Sequence, residues 1–149
     1  IKGLLTSETD VQTRELFFKN AMRLYSEAKA AENAEEQDRI YADVALELGH
    51  FYLNRRQNQN AIEYFSKVPP NDSQYAEAAF YIGLIYWQQN NFEQALAVLS
   101  PLADDLKLTS VYNTLGAIAV EASRAEKKDK TKAANNLNKG LEFLKKASE

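Results

Sequence analysis

A 34-residue echo constrains this chain more than any other feature of its sequence. Sliding the sequence against itself by that offset lays residues 42–68, ADVALELGHFYLNRRQNQNAIEYFSKV, onto residues 76–102, AEAAFYIGLIYWQQNNFEQALAVLSPL. Ala45 falls on Ala79, Leu48 on Ile82, Gly49 on Gly83, Tyr52 on Tyr86, Ala61 on Ala95 and Phe65 on Leu99. A third copy opens at Thr109, where TSVYNTLGAIAVEA sets Leu115 and Gly116 on Ile82 and Gly83, one residue short of the period. A repeat of this length is a supersecondary unit that cannot bury its apolar face alone, so the copies must stack.

The second half of the third copy arrives late. GLEFLKKA (140–147) matches AIEYFSKV (61–68) type for type, yet Gly116 to Gly140 is 24 residues where Gly49 to Ala61 is 12. An insertion near 125–137, mostly the charged EKKDKTKAANN, accounts for the difference. Upstream, NAMRLYSEA (20–28) reads as the second half of a repeat, and AENAEEQD (31–38) as its link to the next.

The composition agrees with helices. Only five glycines and three prolines stand against 45% apolar residues, and the remainder is dominated by good helix formers. Within 76–89 the apolar residues Ala79, Ile82, Gly83 and Tyr86 recur at helical spacing, and Phe80, Leu84 and Trp87 widen the stripe. QQNN (88–91) then predicts a tight turn, Asn tolerating the left-handed backbone that such turns need. Pro69 and Pro70 are expected to stop one second helix, Pro101 to close or kink another, and NDS (71–73) to offer N-caps for the next.

These residues resemble the tetratricopeptide repeat, whose signature runs W-x2-L-G-x2-Y, A-x3-F, P. Leu48, Gly49, Tyr52, Ala61 and Phe65 match it in the first copy, and Ile82, Gly83, Tyr86, Ala95 and Leu99 in the second. The signature Trp is replaced by Ala45, Ala79 and Tyr112, and Ala119 stands for Tyr in the third. The resemblance implies an all-α fold, an α–α superhelix (solenoid) of antiparallel helix pairs. On this reading residues 1–149 form one domain: an N-terminal helix or degenerate half-repeat at 10–41, then repeats at 42–75, 76–108 and 109–149. Antiparallel helices approach closely only where a side chain is nearly absent. Gly49, Gly83 and Gly116 are therefore expected opposite Ala61, Ala95 and Gly140.

In proteins of this kind the first helix of each repeat lines a concave groove. Carried over position by position, the groove takes Leu46, His50 and Leu53 from the first repeat, with Asp43, Glu47 and Asn54 at its edges. The second supplies Phe80, Tyr81, Leu84 and Trp87 with Glu77 and Gln88, and the third Asn113, Ala117 and Val120 with Ser110, Thr114 and Glu121. Members that clamp chaperone carboxylate tails use Lys, Asn and Arg at positions held here by Leu46, His50, Tyr81, Ser110 and Thr114. A chaperone tail is therefore not expected, and an amphipathic helix or extended apolar segment of a protein partner is. The alternative is a self-associating segment of a longer solenoid, since the chain ends at KKASE without a distinct capping helix.

Other function classes find little support. The net charge of −3 argues against nucleic acid, and the basic stretch from Arg124 to Glu149 reads as a solvated helix face. There is no cysteine and His50 is the only histidine, so neither a metal site nor a cofactor is expected. No nucleophile–base setting and no phosphate-cradling glycine loop appears, and carboxylates such as Asp104 and Asp105 read as solvated linker residues, so no catalysis is expected. No apolar run approaches membrane-spanning length. The compartment is left open: a cytoplasmic or, in a bacterium, a periplasmic setting suits the chain, and a signal or anchor preceding Ile1 is compatible with it.

Overall fold

The computed structural model describes residues 8–28, 34–106 and 108–149, with side chains at these positions apart from 8–10, 25–28 and 34–37. The described residues form seven helices and no strand: α1 (Glu8–Ala28), α2 (Ala34–Asn54), α3 (Asn58–Phe65), α4 (Tyr75–Gln88), α5 (Phe92–Leu106), α6 (Thr109–Ala125) and α7 (Lys130–Lys146). They fall into two compact units, Ile1–Tyr75 and Ala76–Glu149.

Three helical hairpins repeat one packing device. A methyl group on Gly49 would collide with the ring of Phe65, and one on Gly83 would lie 2.6 Å from Leu99 Cδ2. A methyl group on Gly116 would lie 2.6 Å from Leu144 Cγ. Each first helix thus gives up a side chain so that one large residue of its mate can enter. The residue met lies four places beyond Ala61, Ala95 or Gly140. In the third hairpin the two small residues also meet, a methyl group on Gly140 falling 3.2 Å from the Gly116 carbonyl.

The turns repeat as well. Arg56 and Asn90, 34 residues apart, both take φ 59°. Arg56 N–H bonds to Leu53 O and Gln57 N–H to Tyr52 O, both at 2.9 Å, while Asn90 N–H bonds to Trp87 O and Asn91 N–H to Tyr86 O, both at 2.8 Å. This pair of bonds around one left-handed residue satisfies the last carbonyls of a helix and reverses the chain. Further along, Ser66 Oγ donates to Ile62 O and Ser100 Oγ to Leu96 O, each at 2.7 Å. Glycine contact, turn and serine bond all return at the sequence period, which makes this an all-α, tetratricopeptide-like helical-repeat fold.

The inserted residues become helix. Whereas α2 and α4 stop five residues beyond Gly49 and Gly83, α6 runs nine beyond Gly116, and α7 starts ten before Gly140. The connection is fixed by Glu126 Oε1, which accepts the N–H groups of Lys128 (3.1 Å) and Asp129 (3.2 Å). Asp129 then caps α7 by accepting Lys132 N–H at 2.9 Å.

Some local expectations give way. The expected link at 31–38 is helical from Ala34, because AEEQD is made of good helix formers, while 31–33 lie outside the described residues. Residues 20–28 are the end of a 21-residue helix. Pro101 does not close α5, which continues to Leu106. Pro101 itself is exposed, and Leu102 and Ala103 beyond it are buried, so their packing outweighs the missing N–H bond. Asp104 and Asp105, read as linker residues, sit in the last turns of the same helix and are exposed.

In the N-terminal unit α1 is tied to α2 through Tyr52, whose hydroxyl donates to Glu15 Oε1 at 2.5 Å and whose ring stacks on Tyr64 at 5.2 Å. Lys19 Nζ pairs with the same Glu15 oxygen at 2.7 Å. The Lys19 ammonium and then the Tyr52 hydroxyl hold the Glu15 carboxyl below its ordinary value of 4.5, while burial, followed by Glu15, pushes the Tyr52 phenol up to about 12. A depressed carboxyl stabilises the fold above its ordinary titration range and loses that effect as pH falls, while a raised phenol loses its effect as pH rises past its unfolded value. Stability measured by urea unfolding is therefore expected to fall between about pH 5 and pH 3 more steeply in the parent than in Glu15→Gln. Equal slopes would show that the Glu15–Tyr52 contact does not form in solution.

Candidate functional site

α4 is apolar nearly all round, and its burial divides it into faces. Ala79 and Gly83 turn into the core formed with Ala95, Leu99, Leu102, Val111, Leu115 and Ile118, against which the half-buried Tyr86 also packs. Ala78 and Ile85 are buried as well, at 1% exposure each, on a second side of the helix. Helical spacing predicts Ile82 inside, but it is only half-buried, and nothing in so uniformly apolar a helix separates it from Ile85. By helical geometry Glu77, Tyr81, Leu84 and Gln88 share the side far from Gly83. Tyr81 and Leu84 are half-buried there, and Glu77 and Gln88 are exposed.

Phe80 and Trp87 lie on the boundary between these sides. Both pack against the core, and Trp87 Nε1 donates to Glu121 Oε2 on α6 at 2.6 Å. That bond joins two first helices one repeat period apart, so α4 and α6 present a common face in the C-terminal unit. Phe80 and Tyr81 set their rings edge to face at 6.4 Å.

On α6, Ser110 and Asn113 are exposed and Ala117 is half-buried, while Thr114 Oγ1 donates to Ser110 O at 2.9 Å. Val120 is turned elsewhere: its Cγ2 would lie 3.1 Å from a methyl group on Gly140, so it packs toward α7. In the N-terminal unit Leu46 is buried at 7% exposure and His50 sets its ring edge on Phe65 at 5.2 Å. Leu53 is half-buried, Glu47 and Asn54 are exposed, and Asp43 accepts a 2.6 Å bond from Gln74 Nε2. The N-terminal unit thus offers less apolar surface on α2 than the pattern implied, because Leu46 is spent on its core.

The basic C-terminal segment is drawn onto α5. Lys132 Nζ lies 2.6 Å from Glu93 and Lys146 Nζ 3.5 Å from Asp104. Both pairs are exposed and each contributes little. Among the described residues no group of three or more His, Cys, Asp or Glu stands together as a metal site would, and no helix is long and apolar enough to cross a membrane.

No family model and no curated protein matches the chain. A search of solved structures finds similarity to the crystal structure of MamA, 18% identical, over 97% of this chain and 95% of the MamA chain, with a TM-score of 0.47.

Proposed function

We propose that the chain is a non-catalytic protein-interaction module whose α4–α6 face grips an amphipathic helix or extended apolar segment of a partner protein. The observation that carries this reading is the pair Tyr81 and Leu84, left half-exposed on the side of α4 that neither Gly83 nor Ile85 uses. Aromatic and aliphatic side chains held on a rigid helix are good anchors for a partner, because they lose little freedom on binding. Acidic and amide groups, Glu77 and Gln88, flank the pair, as a polar rim flanks an interface core.

The test replaces side chains that lie outside the buried core of α4. Trp87 is unsuitable, since its indole holds Glu121 and packs on the core. A Tyr81→Ser/Leu84→Ser double variant is expected to keep its helicity and melting temperature and to lose most partner recovered from source lysate by the parent chain. Undiminished recovery by a folded double variant would reject the face.

A further inference from the structure

The two helices that precede α2 and α6 are held very unequally. α5 sinks Ala95, Leu99, Leu102 and Ala103 into the core of the C-terminal unit. α1 has 21 residues, yet among its described side chains, at 11–24, Met22 alone is buried. Val11, Glu15, Phe18 and Met22 fall at helical spacing on one row, and the first three are only half-buried. A carboxylate therefore stands in the middle of the row that α1 turns inward. Leu16, Phe17 and Leu24 are 60%, 68% and 56% exposed, so much of the apolar surface of α1 stays in water and adds nothing to its hold.

What α1 does grip is Tyr52 of α2. The Tyr52 hydroxyl donates to Glu15 Oε1 at 2.5 Å, and the Lys19 ammonium lies 5.9 Å from the centre of the Tyr52 ring. Tyr52 is buried, and its ring also stacks on Tyr64 of α3 and meets the ring of Phe51 edge to face. Those ring contacts lie within the α2–α3 hairpin, where Phe65 fills the gap over Gly49, and they do not need α1. Segments with few buried apolar contacts open at a lower free energy than the core beside them. We propose that α1 is a detachable cover: it comes away as one unit while the α2–α3 hairpin stays folded, and its departure bares Tyr52 beside Tyr64. The device belongs to the N-terminal unit and stands whether or not the α4–α6 face binds a partner.

Native-state hydrogen exchange of the full chain, read by NMR at increasing urea, tests this. In the parent the amides of residues 14–24 are expected to share one protection factor, at least about tenfold below that of residues 45–52 in α2, with a shallower urea dependence because less surface opens. Tyr52→Phe keeps the ring and removes the hydroxyl, and is expected to lower protection in α1 by about tenfold, the size of a hydrogen bond to a charged group. Phe65→Leu loosens the α2–α3 hairpin at its own contact, and is expected to lower protection in α2 by about fivefold and to leave that of α1 unchanged. Equal protection and equal urea slopes in α1 and α2, or a fall in both on Phe65→Leu, would mean that α1 opens only with the hairpin. A gradient of protection from the ends of α1 inward would mean fraying, and no response of α1 to Tyr52→Phe would mean that Tyr52 does not hold it. Any of these outcomes overturns the proposal.

Discussion

Phe65→Ala is expected to lower the stability of the N-terminal unit by about 3–5 kcal/mol, the range for emptying a buried aromatic site. Phe65 is 1% exposed, fills the space that Gly49 leaves, and meets the edge of the His50 ring. The site is poorly able to collapse after truncation, because the wall facing the lost ring is glycine backbone and has no side chain to move in. Urea unfolding followed by circular dichroism reads the effect as a lower midpoint. A loss under about 1 kcal/mol would mean that Phe65 is not the residue holding α2 and α3 together.

Gly83→Ala is the second, and here two effects oppose. Alanine raises helix propensity by about 1 kcal/mol over glycine. Against this, the new methyl group falls 2.6 Å from Leu99 Cδ2, and Leu99 is fully buried between α4, α5 and α6 with no open side to yield into. Overpacking of this kind costs about 1–3 kcal/mol, so the clash wins and the variant is destabilised despite being a better helix former. A stabilised Gly83→Ala protein would show that the helices are free to separate at this point.

The helical class could be read from the sequence because scarce glycine and proline, helical spacing and a fixed period all agree. The partner of each glycine was harder to read. The pattern pointed to the mate helix at Ala61, Ala95 and Gly140, while the side chains that fill the gaps are Phe65, Leu99 and Leu144, four places on, where a long residue can reach back over its own turn. The turn at Asn90 carries a residue suited to left-handed backbone, but Arg56 occupies the matching place in the first hairpin with nothing in its chemistry to announce it. There the repeat register, and not local propensity, is the usable signal.

The candidate face was legible only in part, for a related reason. An apolar side chain on α2, α4 or α6 faces its own hairpin mate, a neighbouring helix, or solvent, and periodicity distinguishes at most two of these. Leu46 goes to the core and Val120 toward α7, whereas Tyr81 and Leu84 keep exposure, and all four are equally apolar by sequence pattern. Trp87, expected in the groove, packs against the core, and its bond to Glu121 depends on the packing of two helices and has no local sign.

A glycine on each first helix admits one large residue of its mate, which commits that face to the fold. A double-mutant cycle joining Gly83→Ala and Leu99→Ala reads this contact. Leu99→Ala removes the atoms that the new methyl group would strike, so Gly83→Ala should be far less damaging in that background, with a coupling above about 1 kcal/mol. Additivity within about 0.3–0.5 kcal/mol, as for residues not in contact, would mean that Gly83 and Leu99 do not pack together.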